Sequence, residues 1–103
     1  MKISIILPCY NEELNIKHLI FQAEKLKKHF NFILVNNGSN DGTDTVLKSL
    51  KIPLNCKYIK INKNKGYGYG IKTGLKITNS DYVGWMHGDL QQNLSILKKI
   101  IPL

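Results

Sequence analysis

The sequence predicts an α/β fold, a three-layer arrangement in which an open, mostly parallel sheet lies between helices. Three observations predict it. Short apolar runs alternate with segments whose apolar residues recur at helical spacing, the pattern of consecutive strand-helix-strand units. Each apolar run gives way at once to a polar, turn-forming loop. Right-handed crossovers gather those loops at one edge of the sheet, where open α/β sheets bind their ligands.

The elements follow in order. "ISIIL" at 3–7 is a brief apolar run closed by Pro8, as expected of a strand buried on both faces. From Glu13 the period changes: Ile16, Leu19, Ile20, Ala23 and Leu26 form the apolar stripe of a helix, closed by Lys25, Lys27 and Lys28. "FILV" at 32–35 is a second buried strand, with "NNGSNDG" as its exit. Val46, Leu47 and Leu50 mark a short helix that ends before Pro53. "CKYIKI" is a third strand, "NKNKGYGYG" a glycine-rich exit, "IKTGLKI" a helix and "DYVGWM" a fourth strand. Trp85 and Met86 are expected in the core of that strand, and Gly74 is expected to allow close packing of its helix on the sheet. The chain stops at "ILKKIIPL" with an amphipathic stretch under way, so residues 1–103 are expected to form the first part of a longer domain.

Composition narrows the function classes. The 103 residues suffice for one small core, and no apolar run approaches the roughly eighteen residues of a membrane span. The first apolar run is too brief for a signal peptide, so the chain is expected in the cytoplasm. Cys9 and Cys56 lack metal-like spacing and read as reduced thiols. A net charge of +8 admits nucleic acid, an anionic membrane or a phosphorylated ligand. No zinc-finger, RNP or helix-turn-helix pattern accompanies it, so the lysines read as solvated surface and no nucleic-acid partner is expected.

The chemistry lies in the loops. In "PCYNEE", Tyr10 offers a ring for stacking and Glu12 a hydrogen-bond acceptor. Asn11 and Glu12 also read as the cap and first turn of the following helix. Asp41 or Thr43 reads as a cap in the second loop, with Asp41 organising that loop. Gly66, Gly68 and Gly70 invite comparison with a dinucleotide loop, but that fingerprint follows a first strand and needs an acidic residue ending the second, where Asn36 and Asn37 stand. In "HGDLQQN", Asp89 is a hard oxygen ligand suited to a divalent cation, while Gln91 reads equally as the start of a helix.

Taken together, P-x-Y-N-E-E, V-x-x-G-S-x-D-G-T, N-x-G-x-G and D-L-Q resemble the nucleotide-binding half of a family 2 glycosyltransferase with the GT-A fold. The matching stretches run from Ile3 to about Gln92. The resemblance implies a partial GT-A fold and inverting transfer of a sugar from a UDP- or GDP-sugar to a polyprenyl phosphate or saccharide acceptor, this chain carrying only the donor-binding part. It implies Pro8 and Tyr10 beside the base, Glu12 on base or ribose, and one of positions 36 and 37 accepting from the uracil N3–H, with Asn37 taken as the contact. It also implies Asn64, Lys65 and Gly68 near the donor, His87 and Gln91 close to ribose, sugar or phosphate, and Asp89 contacting a Mg²⁺ or Mn²⁺ that bridges the diphosphate.

This chain departs from the family pattern at three positions: Asn36, Asn37 and His87 stand where aspartates are common. An asparagine still accepts through its carbonyl, and an aspartate at 37 is expected to strengthen uridine binding. Histidine is a poorer Mg²⁺ ligand. No residue is assigned as catalytic base, because in the family it comes from the second half of the domain. The D-L-Q form resembles the polyprenyl-phosphate branch, which implies a lipid-linked acceptor and work at the inner face of the membrane. A second reading makes the chain a truncated or degenerate, non-catalytic module that binds a nucleotide or a partner. An uncovered sheet edge would offer a surface for self-association.

Overall fold

The structure, a computed structural model, describes residues 3–63, 66–78, 80 and 82–86. Strands β1 (Ile3–Cys9), β2 (Phe30–Asn37), β3 (Cys56–Ile61) and β4 (Tyr82–Trp85) alternate with helices α1 (Ile16–Lys25), α2 (Thr43–Ser49) and α3 (Tyr67–Leu75). All pairings are parallel, in the order β3-β2-β1-β4. The chain steps outward from β1 to β3 and then returns past β1 to place β4 on its other side. That reversal sits between β1 and β4, so the carboxyl ends of these strands form the crevice where such sheets take ligands.

Alternation along the strands divides the core. Ile5, Leu7, Phe32 and Leu34 join Ile16, Leu19, Ile20, Ala23 and Leu47 on the face covered by α1 and α2. Ile6, Ile33 and Val35 face the other way and pack with Ile59, Ile61, Ile71 and Val83 beneath α3. Three layers result, as the alternation of apolar runs predicts. Gly74 allows α3 to approach: a Cβ there would lie 2.7 Å from Ile6 Cγ2. Cys9 and Cys56 are free and buried, and burial, helped by the charges of Glu12 and Glu24 respectively, pushes each thiol up to about 12.

Three expectations are corrected. Trp85 is 57% exposed. It lies on the same strand face as Val83, toward α3, but among the described residues α3 packs chiefly across β1 and β2 and does not cover Trp85. Met86, on the opposite face, does pack against the α1 and α2 core. Helix α1 starts at Ile16 with Asn15 as its cap residue, and Lys27 and Lys28 fall in the turn beyond it. Helix α3 starts at Tyr67, so Gly68 and Gly70 are helical; the loop ends at Gly66, whose φ of 98° is the left-handed conformation that glycine adopts without strain. Among the described residues no helix is long and apolar enough to cross a membrane.

Candidate functional site

The exits of β1 and β2 are stitched together at the carboxyl edge of the sheet. Asn11 sits at φ 54°, a left-handed conformation that asparagine tolerates better than most residues. Its side chain reaches across, Oδ1 accepting from the backbone N–H of Asn40 (2.8 Å) and of Asp41 (3.3 Å). In return, Ser39 Oγ accepts from Asn11 N–H (3.0 Å), Thr43 Oγ1 from Glu12 N–H (2.9 Å) and Asp41 Oδ2 from Glu13 N–H (3.3 Å). Asn11 is therefore a tie between loops and not the cap of α1.

Asp41 organises its loop as expected: Oδ1 accepts from Thr43 N–H (2.9 Å) and from the Thr43 hydroxyl. Burial raises the Asp41 carboxyl, but the hydrogen bonds from Thr43 and Glu13 outweigh it and hold the group below its ordinary value. Glu13 Oε1 accepts from Gly42 N–H at 2.8 Å. These carboxylates are committed to the loops, and no group of three or more metal-ligating side chains forms among the described residues.

Of the residues singled out from sequence, Pro8, Tyr10, Glu12, Asn37 and Gly68 fall in described elements around this edge. Pro8 is buried near the end of β1, beyond the last residue paired with β4. Tyr10 follows β1, is 43% exposed, and accepts from Asn40 Nδ2 at 3.0 Å. Glu12 is half-buried and borders an open cleft of about 300 Å³ with Asn11, Glu13 and Asp41. Gly68 lies in the first turn of α3. Asn64, Lys65, His87, Asp89 and Gln91 lie outside the described residues.

Asn37 ends β2 and is 4% exposed. Its Nδ2 donates to the Gly66 carbonyl at 2.9 Å, a partner that can only accept, so the amide orientation is fixed. Its Oδ1 is buried with no hydrogen-bond partner, alone in this respect among the described side chains. Pro8 and Asn37 both lie against Gly70 of α3, within 3.5 Å of where a Cβ would stand.

A family model described as glycosyl transferase family 2 matches residues 4–103. The chain belongs to that family. It is 29% identical, over 98% of its length, to a dolichol-phosphate mannosyltransferase of Pyrococcus furiosus, and covers 29% of that protein. It is 30% identical, over 86% of its length, to an undecaprenyl-phosphate 4-deoxy-4-formamido-L-arabinose transferase of Pseudomonas fluorescens, covering 28% of it. Among solved structures it is similar to residues 1–349 of TarS of S. aureus in complex with UDP-GlcNAc, with a TM-score of 0.77, 29% identity, 97% of this chain and 30% of that one. A mannosyltransferase of Pyrobaculum calidifontis, solved with GDP-Man and Mn²⁺, shares the fold at a TM-score of 0.63 and 18% identity. The chain spans less than a third of each of these proteins, and its four-stranded parallel sheet is a partial GT-A fold.

The two asparagines that replace the family's usual aspartates have different tasks. Asn36 looks toward α2: its Oδ1 accepts from Ser39 N–H (3.4 Å) and the Ser39 hydroxyl, and its Nδ2 donates to Tyr58 Oη at 3.1 Å. Tyr58 in turn donates to Asp44, which also pairs with Lys60 (3.0 Å) and Lys48 (3.2 Å). Asn37 looks toward α3 and keeps a free acceptor. Its contact with Gly66 also reverses the expectation for an aspartate at 37. A carboxylate oxygen in place of Nδ2 would face the Gly66 carbonyl, two acceptors with no proton between them.

Sequence reading missed Tyr58 and Asp44, and it gave Asn11 the role of a cap where the structure makes it a tie to Asn40 and Asp41. The signal for Tyr58 was the alternation in "CKYIKI", which puts Cys56, Tyr58 and Lys60 on the α2 side. The loop tie carried no such periodicity.

Proposed function

We propose that this chain is the donor-binding part of an inverting glycosyltransferase that moves a sugar from a UDP- or GDP-sugar to a polyprenyl phosphate or saccharide. The observation that carries this is the buried, unpartnered Oδ1 of Asn37 at the carboxyl end of β2. An orphaned buried acceptor costs about 1–3 kcal/mol, and an imino N–H of uracil or guanine is the donor that removes the cost. Adenine and cytosine present a ring acceptor at that position and can offer only an exocyclic amine, displaced from it, so the fixed amide favours uracil and guanine.

Around that contact, Pro8 and Tyr10 flank the base and Glu12 accepts from base or ribose. Asn64, Lys65 and Gly68 serve the donor, with the Lys65 charge available to its phosphates. His87 donates to ribose or phosphate, and Gln91 lies against the sugar or phosphate. Asp89 holds a Mg²⁺ or Mn²⁺, the role the family resemblance gives it, while Asp41 and Glu13 are engaged in the loops. That ion, when bound, stabilises negative charge developing on the departing diphosphate. An acceptor that is already a phosphate anion needs no general base, and none is assigned. The UDP-GlcNAc in TarS supports the donor class, and the polyprenyl-phosphate relatives support a lipid-linked acceptor class.

Calorimetric titration with UDP, GDP, CDP and ADP, with and without Mn²⁺, tests the reading. UDP or GDP binds at least tenfold tighter than CDP and ADP, a difference of about 1.4 kcal/mol, and Asp89→Ala removes most of the metal dependence. Equal affinity for all four, or none in the millimolar range, refutes it.

A further inference from the structure

A single directed chain of hydrogen bonds crosses the candidate site from β1 to α2. Asn11 N–H donates to Ser39 Oγ (3.0 Å), the Ser39 hydroxyl donates to Asn36 Oδ1, Asn36 Nδ2 donates to Tyr58 Oη (3.1 Å), and the Tyr58 hydroxyl donates to Asp44 Oδ1. Every donor points the same way. Lys60 and Lys48 hold the charge of Asp44 at the far end. Such an alignment lets each bond polarise the next, and it ends on a carboxylate, an acceptor that carries no proton of its own.

We propose that Tyr58 is a positioning residue that, with Asn36 and Asp44 setting the direction of this chain, holds the two nucleotide-binding loops in register. The inference rests on the donor-binding reading above. A phenol has one proton. With a carboxylate at Asp44, Tyr58 spends that proton there and needs a donor at position 36, which asparagine supplies and aspartate does not. Asp44 thus accounts for an asparagine where the family commonly has an acid. An aspartate at 36 would set two carboxylates around one phenolic proton, and its oxygen facing Tyr58, at a position only 1% exposed, would go unsatisfied.

The arrangement can be reversed on paper, and that supplies the test. In Asn36→Asp combined with Asp44→Asn, the new amide donates to Tyr58 and Tyr58 donates to the new carboxylate, which still accepts from Ser39. UDP affinity and backbone hydrogen exchange are measured on the full chain, well below its unfolding temperature. Asn36→Asp and Tyr58→Phe each weaken UDP about tenfold, the loss expected for a hydrogen bond of about 1.4 kcal/mol. They also speed exchange of the Asn11 and Ser39 amides by about the same factor. The double variant recovers both quantities to within about threefold, which general destabilisation cannot produce. If Asn36→Asp alone does not fold, folding and binding by the double variant gives the same support; if neither folds, Tyr58→Phe, which adds no charge, decides. Unchanged affinity and exchange in Tyr58→Phe, or no recovery in a folded double variant, overturns the proposal. A wild-type chain that binds neither UDP nor GDP refutes the donor reading, and the exchange pattern alone then decides whether Tyr58 sets the loops.

Discussion

Two glycines of one helix predict opposite responses to the same substitution. In α3, a Cβ on Gly74 would stand 2.7, 3.0 and 3.1 Å from three carbons of Ile6, whereas a Cβ on Gly68 would meet nothing within 4 Å. The nearest of those carbons is Cγ2, on the stiff β-branch of the side chain. Ile6 is fully buried in β1, which has a strand on either side. Neither partner can yield without moving the sheet or lifting the helix, and overpacking of this kind costs about 1–3 kcal/mol. Replacing glycine by alanine in a helix returns about 1 kcal/mol at an interior position and less near an end. Gly74→Ala is therefore neutral to destabilising by about 2 kcal/mol, while Gly68→Ala is neutral to stabilising. For a domain of this size each kcal/mol moves the Tm by about 4–8 °C, so differential scanning fluorimetry separates the pair. A Gly74→Ala protein that melts at or above Gly68→Ala refutes the close-packing argument.

Two further outcomes are expected. Asn37→Asp weakens UDP binding instead of strengthening it, because the new carboxylate faces the Gly66 carbonyl 2.9 Å from where Nδ2 stood; tighter binding in the same titration sinks this. The second concerns pH. The phenol of Tyr58, then Lys60 and Lys48, hold the Asp44 carboxyl down at about 2, below its unfolded value of about 3.9, so its contribution is full above pH 4 and is lost as pH falls from about 4 to about 2. Burial, then the bond to Asp44, pushes Tyr58 up to about 12, above its unfolded value of about 10, so its contribution is full below pH 10 and is lost as pH rises from about 10 to about 12. Urea unfolding of wild type and Asp44→Asn across both ranges checks the signs, and an acid limb equally steep in the variant counts against them.

What the sequence made legible follows from how each element is stabilised. Apolar runs buried on both faces announce β1 and β2, and the alternation in "CKYIKI" coincides with β3 at Cys56–Ile61. The stripe Ile16, Leu19, Ile20 and Ala23 is buried as its period demands. The start of α3 was hidden because its first turn is glycine-rich, and helix propensity there is overridden by packing against Pro8 and Asn37. Trp85 was misplaced because residue type says nothing of whether a helix covers an edge strand. The loops that meet at the carboxyl edge were legible, and Tyr10, Glu12 and Asn37 do lie there; their contact with a nucleotide is the proposal. The ties of Asn11 to Asn40 and of Asn36 to Tyr58 join residues 29 and 22 positions apart, and no local pattern encodes such contacts.

The two buried thiols give the chain a pair of internal clocks. Cys9 is the last residue of β1 and Cys56 the first of β3, so they stand at opposite ends of the sheet. A thiol near 12 is almost wholly protonated at neutral pH, and a protonated, buried sulfur does not attack an alkylating reagent. Labelling must then wait for local opening, and its rate at each cysteine times the opening of one end. A ligand seated at the carboxyl ends of the strands slows the Cys9 clock and leaves the Cys56 clock running, so a mass spectrum of the two labelled peptides locates binding along the sheet before any ligand is identified.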